Sequence, residues 1–203
     1  MPSRREVQAE QTRQLILQAA RRQFAEHGYA ATSVRAIAAE AGVSVQTIYD
    51  SVGQKANVAR RLNDLIDKEA NVGDLAASLR TEVDPWEVVA LSARITRRIH
   101  ERCADLVRSS LDAARIEPEL ATIAEEGGRR HRAGALRVAE RLNELEALRP
   151  SLTVDEAATT IAALSDIRLA FVLADDHALG DSAIEQWMTD RIAEAVLVRA
   201  DSR

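Results

Sequence analysis

The 203 residues are 46% hydrophobic and 29% charged, a balance that suits a globular chain and excludes disordered or fibrous ones. Aromatics are only 3%, so the core must be aliphatic, and its alanine content favours helix over strand. No run of about 18 apolar residues is long enough to span a membrane, and the N-terminus shows no apolar signal-peptide core. The single cysteine, Cys103, allows no internal disulfide and fits a reducing compartment, so the expected location is the cytoplasm. The net charge of −5 argues against nucleic acid until its distribution is read. Residues 1–61 carry nine Lys and Arg against five acids, and the remainder is strongly acidic. A basic head on an acidic body points to a polyanion-facing N-terminal unit.

Helical periodicity dominates the chain. Ile16, Ala19, Ala20 and Phe24 follow the first helical stripe, with Gly28 where a stop belongs. Thr32 and Ser33 offer caps for a second pattern, Val34, Ile37, Ala38 and Ala41. A third, very short one holds Val45, Ile48, Tyr49 and Val52 between Gly42 and Gly53. A fourth helix runs from Lys55 through Val58, Leu62, Leu65 and Ile66, with Gly73 ending or kinking it. Pro2 lies in the tail. Asp84-Pro85-Trp86-Glu87 is a helix start, with Asp as cap and Pro at the first helical position. Glu117-Pro118 starts another, Gly127-Gly128 divides two short stretches, and Pro150 closes one. Thr153 with Glu156, and Ser182 with Glu185, have capping-box spacing. Gly180 turns the chain between the last two helices, about 153–176 and 182–199. With no alternating strand pattern, the expectation is an all-α fold of about nine helices.

The third helix poses the functional question. Its apolar residues cluster on one face, and the opposite face carries Gln46, Thr47, Asp50 and Ser51. A merely solvated face usually carries Glu, Lys and Arg. Short polar groups suit close approach to base edges: Gln bonds adenine bidentately, Thr meets several bases or the thymine methyl, and Asp accepts from cytosine. Two short helices joined by a Gly-containing turn make a helix-turn-helix, whose second helix enters the major groove.

The text "ILQAARRQFAEHGYAATSVRAIAAEAGVSVQTIYDSVGQKANV", within residues 12–62, resembles the DNA-binding domain of the TetR family of transcriptional repressors. The resemblance implies a homodimer that binds a palindromic operator and leaves it when a small molecule enters the C-terminal domain. By position, Ser44 would cap the recognition helix, and Val45, Gln46 and Thr47 would face bases. Tyr49 and Lys55 would reach phosphates, and Thr32, Ser33 and Arg35 would offer a helix N-terminus to another. The chain departs from the pattern at Gln23, where Leu is usual, at Val52 for Phe, and at Asp50, where an aromatic or His is common. Asp50 either sets operator sequence or weakens binding. The domains implied are a helix-turn-helix head, 1–54, and a helical effector-binding and dimerisation body, 55–203.

In the body, the candidate effector-binding residues are Leu62 and Ile66 on the fourth helix, Trp86, Arg97, His100, Cys103, His131 and Arg168. Few aromatics suggest an aliphatic pocket, suited to a lipophilic or acyl-chain effector, with Arg97, Arg98 and Arg168 as counter-charges for an acidic one. His100 and Cys103 share a helix face, but two soft ligands without further partners assign no metal. No cofactor motif and no catalytic signature is present, so the expectation is not an enzyme. The resemblance implies that the last two helices pair with their twofold mates through Ile161, Leu164, Phe171, Ile184, Trp187, Met188 and Ile192. The alternatives are a helical interaction module and a DNA binder indifferent to sequence.

Overall fold

A computed structural model describes residues 3–198. Pro2 and the expected end of the last helix at 199 lie outside the described residues. Among the described residues there are ten α-helices: α1 (Arg4–Ala31), α2 (Val34–Ala41), α3 (Val45–Ser51), α4 (Lys55–Glu69), α5 (Val72–Ser78), α6 (Pro85–Ala114), α7 (Pro118–Glu144), α8 (Val154–Leu164), α9 (Ile167–Asp175) and α10 (Asp181–Val196). Among the described residues there is no strand, and one isolated bridge joins Leu148 to Leu197. The all-α expectation holds, and four boundaries differ from it.

α1 begins at Arg4, eight residues before the recognisable head. Ser3 and Glu6 form a capping box there, and no apolar stripe announces it because residues 3–11 are all exposed. A short helix, α5, is added at Val72–Ser78 and includes Gly73. The Gly127-Gly128 pair lies inside a continuous α7, since helical glycine costs only about 1 kcal/mol each relative to Ala and packing outweighs it. The expected helix 153–176 is broken in two. Ser165 ends α8 and donates to the Ile161 carbonyl at 2.7 Å. Asp166 caps α9, its carboxylate accepting from the Arg168 amide at 2.8 Å. By length and composition alone Val154–Asp175 is apolar enough to cross a membrane, but this break and its charged ends mark it as two body helices.

The chain packs as two compact units. The first is Met1–Ile66 with Ala104–Glu126, the second Asp67–Cys103 with Gly127–Arg203. In the first, α1, α2 and α3 close over Ile16, Ala20, Phe24, Tyr29, Ile37 and Ile48, each at most 3% exposed. In the second, α8 and α10 pack over Ile161, Ile192 and Val196 together with Val88, Val89 and Leu142. α9 and α10 meet over Ala170, Leu173, Ile184 and Met188. The Thr96 hydroxyl donates to the Ser165 carbonyl at 2.7 Å, which satisfies a buried acceptor where α8 stops.

The expected capping box of Ser182 and Glu185 does not form. α10 starts at Asp181 after Gly180 without a side-chain cap, and Glu185 instead pairs with Arg94 and Arg97 of α6. The Thr153–Glu156 box is present.

Candidate nucleic-acid interface

Four local devices position α3. The Ser33 hydroxyl accepts from the Ala36 amide at 3.1 Å and starts α2. α2 ends in a Schellman motif: the Gly42 amide reaches the Ala39 carbonyl at 3.3 Å, and the Val43 amide reaches that of Ala38 at 3.0 Å. Gly42 sits at φ 67°, the left-handed region in which a Cβ is penalised. Ser44 then caps α3, accepting from the Thr47 amide at 3.0 Å. Gly53, at φ 103°, closes the helix, and a Cβ there would lie 2.4 Å from the Asn57 side chain. The result is a seven-residue helix between two tight turns.

The apolar stripe is buried at Ile48 and Val52, but Tyr49, read as part of it, is 46% exposed. Ile48 is fully buried and Val52 7% exposed. Gln46, Tyr49 and Asp50 are exposed, and Val45 and Thr47 are half-buried. The Gln46 amide donates to the Asp50 carboxylate at 2.8 Å. Ser33 and Arg35 are exposed at the start of α2. Eight of the ten DNA-contact candidates therefore keep accessible side chains around α3 and the start of α2.

The other two are turned inward. Thr32 is 3% exposed, and its hydroxyl donates to the Gly28 and Gln23 carbonyls at 2.9 and 3.0 Å, closing α1 where Gly28 breaks it. The Lys55 ammonium donates to the Tyr29 and Thr32 carbonyls at 2.9 and 3.1 Å and lies 4.1 Å from the centre of the Tyr29 ring. Burial lowers its pKa below the ordinary lysine value, and Glu117 partly offsets this. Lys55 thus fastens the start of α4 to the α1–α2 junction.

The departure at Gln23 also finds its reason. Its amide donates to Glu40 Oε2 at 2.6 Å, and Arg22 holds Oε1 of the same carboxylate. This brace ties α1 to α2 and was missed because its members are 17 and 18 residues apart. A polar residue at a normally apolar position was the one signal. Arg22 first, then Gln23, keeps the Glu40 carboxyl below its ordinary pKa. A depressed carboxylate pKa stabilises the fold above the unfolded value, near 4.5, and that contribution is lost as pH falls through the folded value. Glu40→Gln is expected to make acid unfolding below pH 4.5 less steep while lowering stability at pH 7; equal acid profiles for the two proteins would remove the brace from the account.

The effector candidates are divided between the two units. Leu62 lines a shallow, open cleft with Phe24, Ala59, Leu106 and Leu120, too small to enclose a ligand. Ile66, in the same unit, is half-buried. In the second unit, Trp86 is 42% exposed. Arg97 is paired with Glu185 and Glu101, and Arg168 with Asp166 at 2.6 Å. His100 Nδ1 lies 2.6 Å from Asp181, its ring against Phe171. His131 Nε2 meets the Ala162 carbonyl at 2.8 Å; a carbonyl only accepts, so that nitrogen carries the proton. Cys103 is fully buried at the point where α6 leaves helical geometry. Among the described residues, no three His, Cys, Asp or Glu are grouped to hold a metal.

Most of the stripe read as a dimer face is enclosed by its own chain. Ile161, Ile184, Met188 and Ile192 are fully buried and Phe171 is 8% exposed, while Leu164 and Trp187 are half-buried. An apolar stripe says that a face is covered and not by what.

The geometry of α2, turn and α3 is that of a helix-turn-helix. Residues 16–62 match the sequence profile of the family described as "Bacterial regulatory proteins, tetR family". The chain's fold is similar to that of several solved structures. One is a putative transcriptional regulator from Saccharomonospora viridis in complex with choline, with 20% identity, TM-score 0.73, and 94% of this chain and 100% of that one covered. Another is the SmeT–triclosan complex, SmeT being the repressor of a Stenotrophomonas maltophilia multidrug efflux pump, with 21% identity, TM-score 0.74 and 93% of each chain covered. A third is the regulator FadR from Bacillus subtilis in complex with stearoyl-CoA, with 19% identity, TM-score 0.70, and 88% and 96% covered. No curated protein matches the sequence.

Proposed function

We propose that the chain is a ligand-responsive transcriptional regulator, acting as a repressor in the cytoplasm. Two copies bind a palindromic operator, and a small molecule in the helical body releases them. Residues 1–54 read DNA, and residues 55–203 bind the effector and dimerise. The observation that carries this reading is α3: a capped seven-residue helix with Gln46, Tyr49 and Asp50 exposed on one side and Ile48 buried on the other. A groove about 12 Å wide admits one helix, and its first turns reach the base edges. Ser33 and Arg35 are placed to meet a phosphate beside it. Lys55 and Thr32 set the frame that carries α3.

Twofold symmetry would place half-sites about 34 Å apart. The surfaces left for a partner on α8 to α10 include the exposed Val172 and the partly exposed Leu164 and Trp187. The effector is read as uncharged and aliphatic. The apolar residues of the body are chiefly Leu, Ile, Val and Ala, and the Arg97 and Arg168 guanidiniums already face carboxylates. Choline, triclosan and stearoyl-CoA, bound by three proteins of similar fold, are too different to indicate one ligand for this chain. Release requires that the effector favour one of two states. A coupling of about 1–3 kcal/mol changes operator affinity some 5- to 150-fold.

The test is selection of bound fragments from random DNA by the intact chain at about 150 mM salt, where non-specific contacts are weak. The expected result is one enriched palindrome. Affinity steep in salt yet flat across sequences would favour the indifferent binder instead.

A further inference from the structure

Asp50 is the residue of α3 that groove binding explains least, because an acid beside phosphates is repelled. Its geometry supplies a role. Gln46 and Asp50 stand one helical turn apart, and the Gln46 Nε2 donates to Asp50 Oδ1 at 2.8 Å. Both side chains are exposed on the face opposite Ile48. Among the described residues no Lys or Arg pairs with Asp50, so its acceptors are available to Gln46. The pair needs no DNA to form. Gln186 and Asp190 make the same bond at the same spacing and distance on α10, as Gln and Asp four apart on a helix do generally.

An ionised carboxylate only accepts hydrogen bonds. It must therefore face the NH₂ side of the Gln46 amide, and the carbonyl oxygen is directed away from it. A free glutamine presents either side. A held one offers its second N–H beside Oε1, a donor next to an acceptor in fixed order. That order matches adenine, whose N7 accepts and whose N6 amino group donates. Guanine carries O6 in place of that amino group and would set one acceptor against another. An unheld Gln46 could turn its amide and donate to guanine.

We infer that Asp50 is a positioning residue for operator reading: by holding the Gln46 amide in one orientation it makes α3 select adenine over guanine at one base pair of each half-site. The inference rests on the proposal that α3 reads an operator.

The experiment takes the operator selected by the intact chain and its A-to-G exchange at the position lost by Gln46→Ala. Binding is measured by fluorescence anisotropy at about 150 mM salt for wild type, Asp50→Ala, Asp50→Asn, Gln46→Ala and the double Gln46→Ala/Asp50→Ala, with circular dichroism confirming unchanged helix. Wild type is expected to prefer adenine by about tenfold, within the range of one bidentate base contact. Asp50→Ala should lose most of that preference while binding both duplexes as tightly or more so, since a charge near phosphates is gone. Asp50→Asn, which can donate as well as accept, should fall between. The double variant should match Gln46→Ala, because Asp50 acts only through Gln46. A preference unchanged in Asp50→Ala would overturn the inference. So would an effect of Asp50→Ala that persists without Gln46, or that falls at a C·G pair, which would mean that Asp50 reads a base itself. Wild type enriching no sequence at all would overturn the inference together with the operator proposal, and is distinguishable from the other failures by that absence.

Discussion

Ile184→Asp is expected to unfold the second unit and not to release a folded monomer. Ile184 has no exposed surface and packs with Ala93, Ala170, Leu173 and Met188. A carboxylate there would lie in an apolar cluster without a partner. The effective penalty for burying an ion is several kcal/mol, against a total stability of about 5–15 kcal/mol for a typical protein. Circular dichroism should show lost helix, and size-exclusion chromatography an expanded or aggregated species. Val172→Asp, on the exposed side of α9, should remain folded, and it is the variant in which a weakened dimer would be sought. A folded monomer from Ile184→Asp would place that stripe at the dimer interface and refute its assignment to the chain's own core.

Tyr29→Ala is expected to lower the stability of the first unit by about 3–5 kcal/mol, as large aromatic-to-alanine changes in cores do. Tyr29 is 2% exposed, its ring 5.3 Å from that of Phe24 and beneath the Lys55 ammonium. The cation–ring attraction adds about 0.5–1 kcal/mol. At about 2–4 °C per kcal/mol for a chain of this size, the melting temperature should fall by roughly 10 °C. Operator affinity should fall as well, because Lys55 seats α4 on this junction. Lys55→Met, which keeps the apolar stem and removes the two carbonyl bonds, should cost less stability. A shift under about 2 °C for Tyr29→Ala would remove Tyr29 as the anchor of the head.

The head was legible because its information is local. Ser33, Gly42, Ser44 and Gly53 each act on backbone within four residues. The apolar stripe between them needs only the helical period to be recognised. The polar face of α3 was legible for the same reason: Gln46 and Asp50 are one turn apart, and Ile48 lies opposite.

The family resemblance implied Lys55 and Thr32 as phosphate contacts. Only the fold showed carbonyls of Tyr29, Gln23 and Gly28 within their reach. Glu40 has Arg22 and Gln23 beside it only because the fold brings α1 against α2. The break at Ser165–Asp166 was hidden by an apolar period that continues across it.

What the sequence determined by itself is the all-helical class, the helix-turn-helix and the polar face of its second helix, because caps, glycine turns and periodicity act over one or two turns. What only the tertiary structure decided is which stripes the chain covers with its own residues and which polar groups face inward. Burial and charge pairing depend on segments far apart in the chain, and no local pattern records which of them will meet.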